Sequence, residues 1–161
     1  MPEKKTVERA QAAKRAGKSP STQAGAFVKE QIDHVREGKH GAKSAKQAIA
    51  IGLSEARRAG VKTKAPKKGA TSEATRKKAA QDTAAGQHKT KKSASTESKS
   101  KRSAVSTRVL KRESTKAASH TALSRQSHAS ASRRSAADRS AAAKKGWATR
   151  RKAAAGRHAT R

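Results

Sequence analysis

The sequence predicts an all-α chain: a small helical hairpin of two to three helices, followed by a largely disordered basic tail with transient helices. Three observations lead there. Apolar residues recur at helical spacing most clearly between positions 24 and 35. Aromatic residues make up 1% of the chain, Phe27 and Trp147 alone, so little apolar area is on hand to offset conformational entropy. Most of the 32% that counts as hydrophobic is alanine, which favours helix strongly and buries little.

The large aliphatic residues gather in positions 1–61, as Val7, Val28, Ile32, Val35, Ile49, Ile51, Leu53 and Val61. That stretch is read as a helical head domain, 62–102 as a disordered basic linker, and 103–161 as a basic low-complexity tail with helix-prone segments. In the head, a first helix runs from about Glu3 to Ala16 and stops at Gly17, a residue type suited to the left-handed position after a helix. Ser19 then offers a cap and Pro20 a first helical residue that needs no N–H. The second helix continues to about Glu37. Ala24, Phe27, Val28, Ile32 and Val35 line one of its faces, with Lys29, Glu30, Asp33 and Arg36 beside them. Gly38 to Gly41 make a turn, and Ser44 with Gln47 reads as a capping box that opens a third helix. Gly60 followed by Val61 suits a Schellman ending, so the second and third helices form an antiparallel hairpin.

Beyond Lys62 no apolar period is visible up to Arg102, and the composition is that of a solvated linker. Val105, Val109, Leu110 and Leu123 suggest a transient helix near 103–123, opposed by its many Ser and Thr residues. A second helix-prone segment, 133–156, surrounds Trp147 and is interrupted by Gly146.

Charge bounds the partner. The chain carries 41 Lys and Arg against 11 Asp and Glu, a net charge of +30, which draws it to polyanions. Residues 62–161 hold 28 of the basic residues and 5 of the acidic ones. Their clusters are the candidate phosphate contacts: Lys67 with Lys68, Arg76, Lys77 and Lys78, Lys91 with Lys92, Lys101 with Arg102, Arg133 with Arg134, Lys144 with Lys145, and Arg150, Arg151 and Lys152. The plainer reading is a solubilising tail, which the scarcity of acids disfavours. Trp147 sits among five of these bases and either stacks on a base or anchors the segment on another apolar surface.

Other chemistry finds little footing. Gly17-Lys18-Ser19 has the ending of a phosphate-binding loop, but Ala12 stands where glycine is required and no strand precedes it. The Gly38–Gly41 turn could offer backbone N–H groups to one phosphate, although a simple helix connection is favoured. The six histidines show no metal or acid–base spacing, and no nucleophile, base and orienting group come together, so neither enzyme activity, cofactor nor metal is expected. Cysteine is absent, and no apolar run reaches the length of a membrane span, which makes a cytoplasmic location the expectation.

The segments Gly17–Gly25, His34–Gly41, Lys46–Ser54 and Ala56–Val61 together resemble a small bacterial domain of unknown function covering about residues 2–68. That resemblance implies a bacterial source and no activity. The tail is similar in composition to the Lys- and Ala-rich ends of bacterial histone H1-like proteins, and Lys145–Arg151 resembles a short basic motif of small bacterial and phage proteins. The expected function is non-sequence-specific DNA binding by a histone-like, nucleoid-associated protein, with RNA or ribosome association, or a stress-related hydrophilic adaptor, as alternatives. A homodimer through Phe27, Val28, Ile32, Val35, Ile49 and Leu53 is expected to complete a core too small for a monomer.

Overall fold

The computed structural model describes residues 2–66, 68–69, 71–87 and 99–158, with the side chains of 99, 100, 102, 152–154 and 156–158 outside that description. Seven α-helices run through these residues: α1 Lys4–Arg15, α2 Pro20–Arg36, α3 Ala45–Arg58, α4 Glu73–Gly86, α5 Lys99–Arg112, α6 His120–Ser132 and α7 Ala136–His158. A 3-10 turn, Thr115–Ala118, lies between α5 and α6. The expected hairpin with a largely disordered tail is therefore wrong: α4 to α7 occupy much of the region read as linker and tail.

The first three helices end alike. Gly17, Gly38 and Gly60 take positive φ values of 65°, 72° and 88°. In each case the N–H after the glycine donates to the carbonyl five residues back: Lys18 to Ala13, Lys39 to His34, and Val61 to Ala56, all at 2.9–3.0 Å. These are Schellman endings that satisfy otherwise orphaned carbonyls. At the opposite ends, Ser19 caps α2 by accepting from Thr22 N–H and Ser44 caps α3 by accepting from Gln47 N–H. The Gly17–Ser19 run is thus a helix stop followed by a helix start.

Alanine makes most of the packing, in the head and beyond it. Nine of the twelve buried apolar residues are alanines: Ala10, Ala24, Ala42, Ala45, Ala48, Ala56, Ala79, Ala117 and Ala118. Each buries little area, yet a small side chain lets backbones approach until dispersion contacts are dense. One cluster joins Ala10, Ala24, Phe27, Ala56 and Val61, flanked by Val7 and Leu53. Another joins Val35, Ala42, Ala48, Ala117 and Ala118, flanked by Ile32.

The chain divides into two compact units, Met1–Leu123 and Ser124–Arg161. In the first, α2 packs between α1 and α3, and α4 packs on α3. The α4 contact has no apolar stripe to announce it. Asp82, 3% exposed, accepts from Ser54 Oγ and from Arg58 Nε at 3.1 Å, and Lys78 Nζ pairs with it at 3.1 Å. Beside it Gly86 backs onto the end of α3 so closely that an added Cβ would lie 1.9 Å from the Arg57 carbonyl oxygen.

The 3-10 turn closes the other end of the α2–α3 pair. Gly41 N–H donates to Leu110 O at 2.8 Å, Ala42 N–H to Ser114 O at 3.1 Å, and Arg36 Nε to Ala118 O at 3.0 Å. The helix anticipated over 103–123 is broken by this docking into α5, the turn and the first residues of α6. Phe27 and Val35, expected to face a second copy, are fully buried inside one chain, and Val28, Ile32, Ile49 and Leu53 are half-buried. Segments of the same chain, α1 and the 3-10 turn, cover part of that face.

The second unit contains most of α6 and all of α7. Ser119 caps α6 by accepting from Ala122 N–H. Ser135 caps α7 by accepting from Asp138 N–H, and its hydroxyl donates back to the Asp138 carboxylate, which favours the positive end of the helix. The helix then runs through Gly146 without interruption.

Candidate nucleic-acid interface

The basic residues singled out in the first unit have unequal surroundings. Arg76 lies on α4 in a two-point pair with Glu73, at 2.9 and 2.7 Å, and Lys78 is paired with Asp82. The Glu73 pairing holds the Glu73 carboxyl below its usual pKa and raises that of Arg76. Both bases are thus already matched by acids three or four residues away. Lys77, between them, is exposed, as are Lys68 beside the Gly69 turn and Lys101 on α5. Arg102 is placed on α5 by its backbone, while Lys67, Lys91 and Lys92 lie outside the described residues.

The second unit is different in kind. Residues 124–161 contain eleven Lys and Arg against a single acid, Asp138. Every described residue from 127 to 151 is exposed except the half-buried Gly146. Arg133 and Arg134 sit in the turn between α6 and α7, and Arg139, Lys144, Lys145, Arg150 and Arg151 follow along α7, with Lys152 placed there by its backbone.

Two features of α7 suit a cationic rod. None of its bases lies three or four residues from another, so adjacent turns avoid the like-charge contact that destabilises helices. By register they fall in three lines, Arg139 with Arg150 and Arg157, Lys144 with Arg151, and Lys145 with Lys152, so charge surrounds the helix. At about 1.5 Å per residue its 23 residues span about 35 Å, close to one turn of duplex DNA. Trp147 is 61% exposed, with the Arg151 guanidinium 5.1 Å from its ring centroid. The cation stacks on that ring.

The Gly38–Gly41 turn is occupied with its own fold. Its Gly38, Lys39 and Gly41 N–H groups donate to Val35, His34 and Leu110 carbonyls, leaving none of the three for a phosphate.

Sequence reasoning missed one constellation. Glu3, at the cap of α1, meets Glu30 and His34 on α2, with His34 Nε2 3.1 Å from Glu3 Oε1 and 4.0 Å from Glu30 Oε1. The His34 hydrogen bond, followed by the Lys39 charge, holds the Glu3 carboxyl below its ordinary pKa. The signal available in the sequence was the Glu30–His34 spacing of four on one helix; Glu3 joins them only through the fold. Among the described residues these three are the only group of acids and histidines close enough to share an ion.

Among the described residues no helix is long and apolar enough to cross a membrane. No curated protein and no solved structure matches the chain. Residues 6–69, which hold most of α1, all of α2 and α3 and the segment after them, match a family of unknown function (DUF6496), and α4 to α7 lie beyond that match.

Proposed function

We propose that the protein binds nucleic acid, DNA in the first place, without reading base sequence, and that the contacting surface is a set of exposed helices. The observation that carries this reading is the second unit: its sequence holds eleven bases to one acid, and those whose side chains are described, from Arg125 to Arg151, are exposed along α6, the following turn and α7. Such a surface neutralises many phosphates and releases their counterions, and it needs no groove of its own. Charge on all sides of α7 suits binding without a preferred register, because no one face carries an Asn, Gln and Arg set for base edges.

The first unit is less one-sided, with thirty bases to ten acids. Its bases Arg76 and Lys78 are paired with acids, and its acids are interleaved with cations on α2 and α4. The similarity of the Lys- and Ala-rich composition to bacterial histone H1-like tails supports a bacterial, nucleoid-associated role. Crosslinking the protein in its cells and sequencing the recovered nucleic acid tests the proposal. Chromosomal DNA spread without a common sequence supports it. Recovery of ribosomal or messenger RNA in its place, or of no nucleic acid, contradicts it.

A further inference from the structure

A net charge of +30 makes acidic residues scarce, yet four of the eleven line one small cavity of about 130 Å³ between α1 and α2: Glu3, Glu30, Asp33 and Glu37. Two of them are answered locally, Asp33 by Lys29 and Glu37 by Lys39 at 2.9 Å. Glu30 is not answered in the same way. Its side chain is 4% exposed, its Oε1 accepts from the Glu3 backbone N–H at 2.8 Å, and its Oε2 is buried with no hydrogen-bond partner among the described residues.

A buried carboxylate oxygen without a partner is unfavourable unless something positive meets it. The cavity is shared with the His34 imidazole, the Glu3 carboxylate and three cations, Arg9, Lys29 and Lys39. One donor atom from each of Glu3, Glu30 and His34 lies within 4.8 Å of the others. Ligands held at about 2.1 Å around a tetrahedral ion stand about 3.4 Å apart, and the separations of His34 Nε2 from Glu3 Oε1, 3.1 Å, and from Glu30 Oε1, 4.0 Å, bracket that spacing, with the unpartnered Oε2 on the same Glu30 carboxylate. The Glu3 N–H already orients the Glu30 carboxylate, as outer partners of metal ligands do. The His40 ring stands edge-on to His34 with 6.0 Å between centroids and is itself tied to Gln31 and to Gly41 O.

We infer that Glu3, Glu30 and His34 bind one divalent transition-metal ion of the zinc type, which fastens the start of α1 to α2. One imidazole and two carboxylates favour zinc or cobalt over magnesium and calcium, which take oxygen ligands alone. Binding releases to solvent the proton that lies between His34 Nε2 and Glu3 Oε1, and the ion takes the place of the Lys39 charge, 3.6 Å from Glu3 Oε1, in neutralising that carboxylate. Water completes the ion's coordination.

The test uses the full chain, stripped of metal with chelator and titrated calorimetrically with zinc chloride, then with magnesium chloride. One zinc equivalent and a raised melting temperature are expected, with no comparable response to magnesium. His34→Ala and Glu30→Gln, with helix content checked by circular dichroism, should each weaken zinc by about ten-fold or more, whereas His120→Ala and His128→Ala should not. Zinc-edge X-ray absorption of the wild-type complex gives a readout independent of variants, one imidazole with oxygen neighbours. Absence of binding at millimolar zinc, an unchanged affinity in His34→Ala and Glu30→Gln, an equal magnesium response, or a spectrum without imidazole scattering would each overturn the inference.

Discussion

A methyl group added to Gly52 on α3 would stand 2.6 Å from the Cα of Val28 on α2, and 2.9 Å from the Phe27 carbonyl oxygen. The obstacles are backbone atoms, which cannot rotate aside. Gly52→Ala should therefore push α2 and α3 apart and cost about 1–3 kcal/mol, as overpacking commonly does. Thermal unfolding followed at 222 nm should show a melting temperature lower by several degrees. An unchanged transition would mean that the two helices do not cross at this point.

Asp82 ties α4 to α3. Burial opposes its ionisation, but hydrogen bonds from Ser54 and Lys78 and the charge of Arg58 outweigh that, and its pKa falls below the ordinary aspartate value. A depressed carboxyl contributes stability above the unfolded value of about 3.9 and loses it as pH falls through the lower folded value. Asp82→Ala should cost about 1 kcal/mol at neutral pH, since Arg58 and Lys78 are each more than half exposed and return to water. It should also flatten the acid limb of the stability profile. A limb of unaltered steepness would place the acid sensitivity elsewhere.

Glu55 has the opposite sign. Burial, then the nearby Glu30 charge, lift its pKa, and only in part does the Gln31 hydrogen bond offset them. Ionised Glu55 thus weighs against folding, and stability returns as pH falls through the raised value toward the unfolded one of about 4.3. Glu55→Gln should be neutral or stabilising at pH 7 by chemical denaturation and should lose this mild gain on acidification. A clear destabilisation at pH 7 would show that the carboxylate is needed as an acceptor.

The Gly41 contact is the most direct check on the docked 3-10 turn. A Cβ there would lie 1.9 Å from the Glu113 carbonyl oxygen. Gly41→Ala should release residues 110–118 from the α2–α3 pair while the three head helices persist. Hydrogen exchange should show faster exchange at the Ala42 amide, which donates to Ser114 O. Retained protection at Ala42 would argue against the docking.

Local signals made the head legible. The Ser19 and Ser44 caps, Pro20, and the glycines at 17, 38 and 60 set the limits of α1, α2 and α3 to within a residue or two. What they could not convey was long-range packing. Ala79 looks like filler in a basic linker, and Ala117 and Ala118 like filler in a basic tail, yet all three are buried. Asp82 looks like an isolated acid, yet it is met by residues of α3. Small-residue contacts of this kind produce no hydrophobic period, because what matters is how close two backbones come. The basic surface was readable as charge, but sequence alone could not show that Arg76 and Lys78 are internally paired whereas Arg139, Lys144, Lys145, Arg150 and Arg151 of α7 are exposed.

The proposed nucleic-acid binding rests on how many phosphates the chain neutralises, and the salt dependence of its affinity for a mixed-sequence duplex measures that number. Fluorescence anisotropy with the full chain should give a plot of log affinity against log salt with slope about −0.9 per phosphate contacted. With about ten contacts, affinity falls by several decades between about 50 and 200 mM salt, equally for unrelated sequences. A slope near zero, or no binding at about 50 mM salt, would contradict the account.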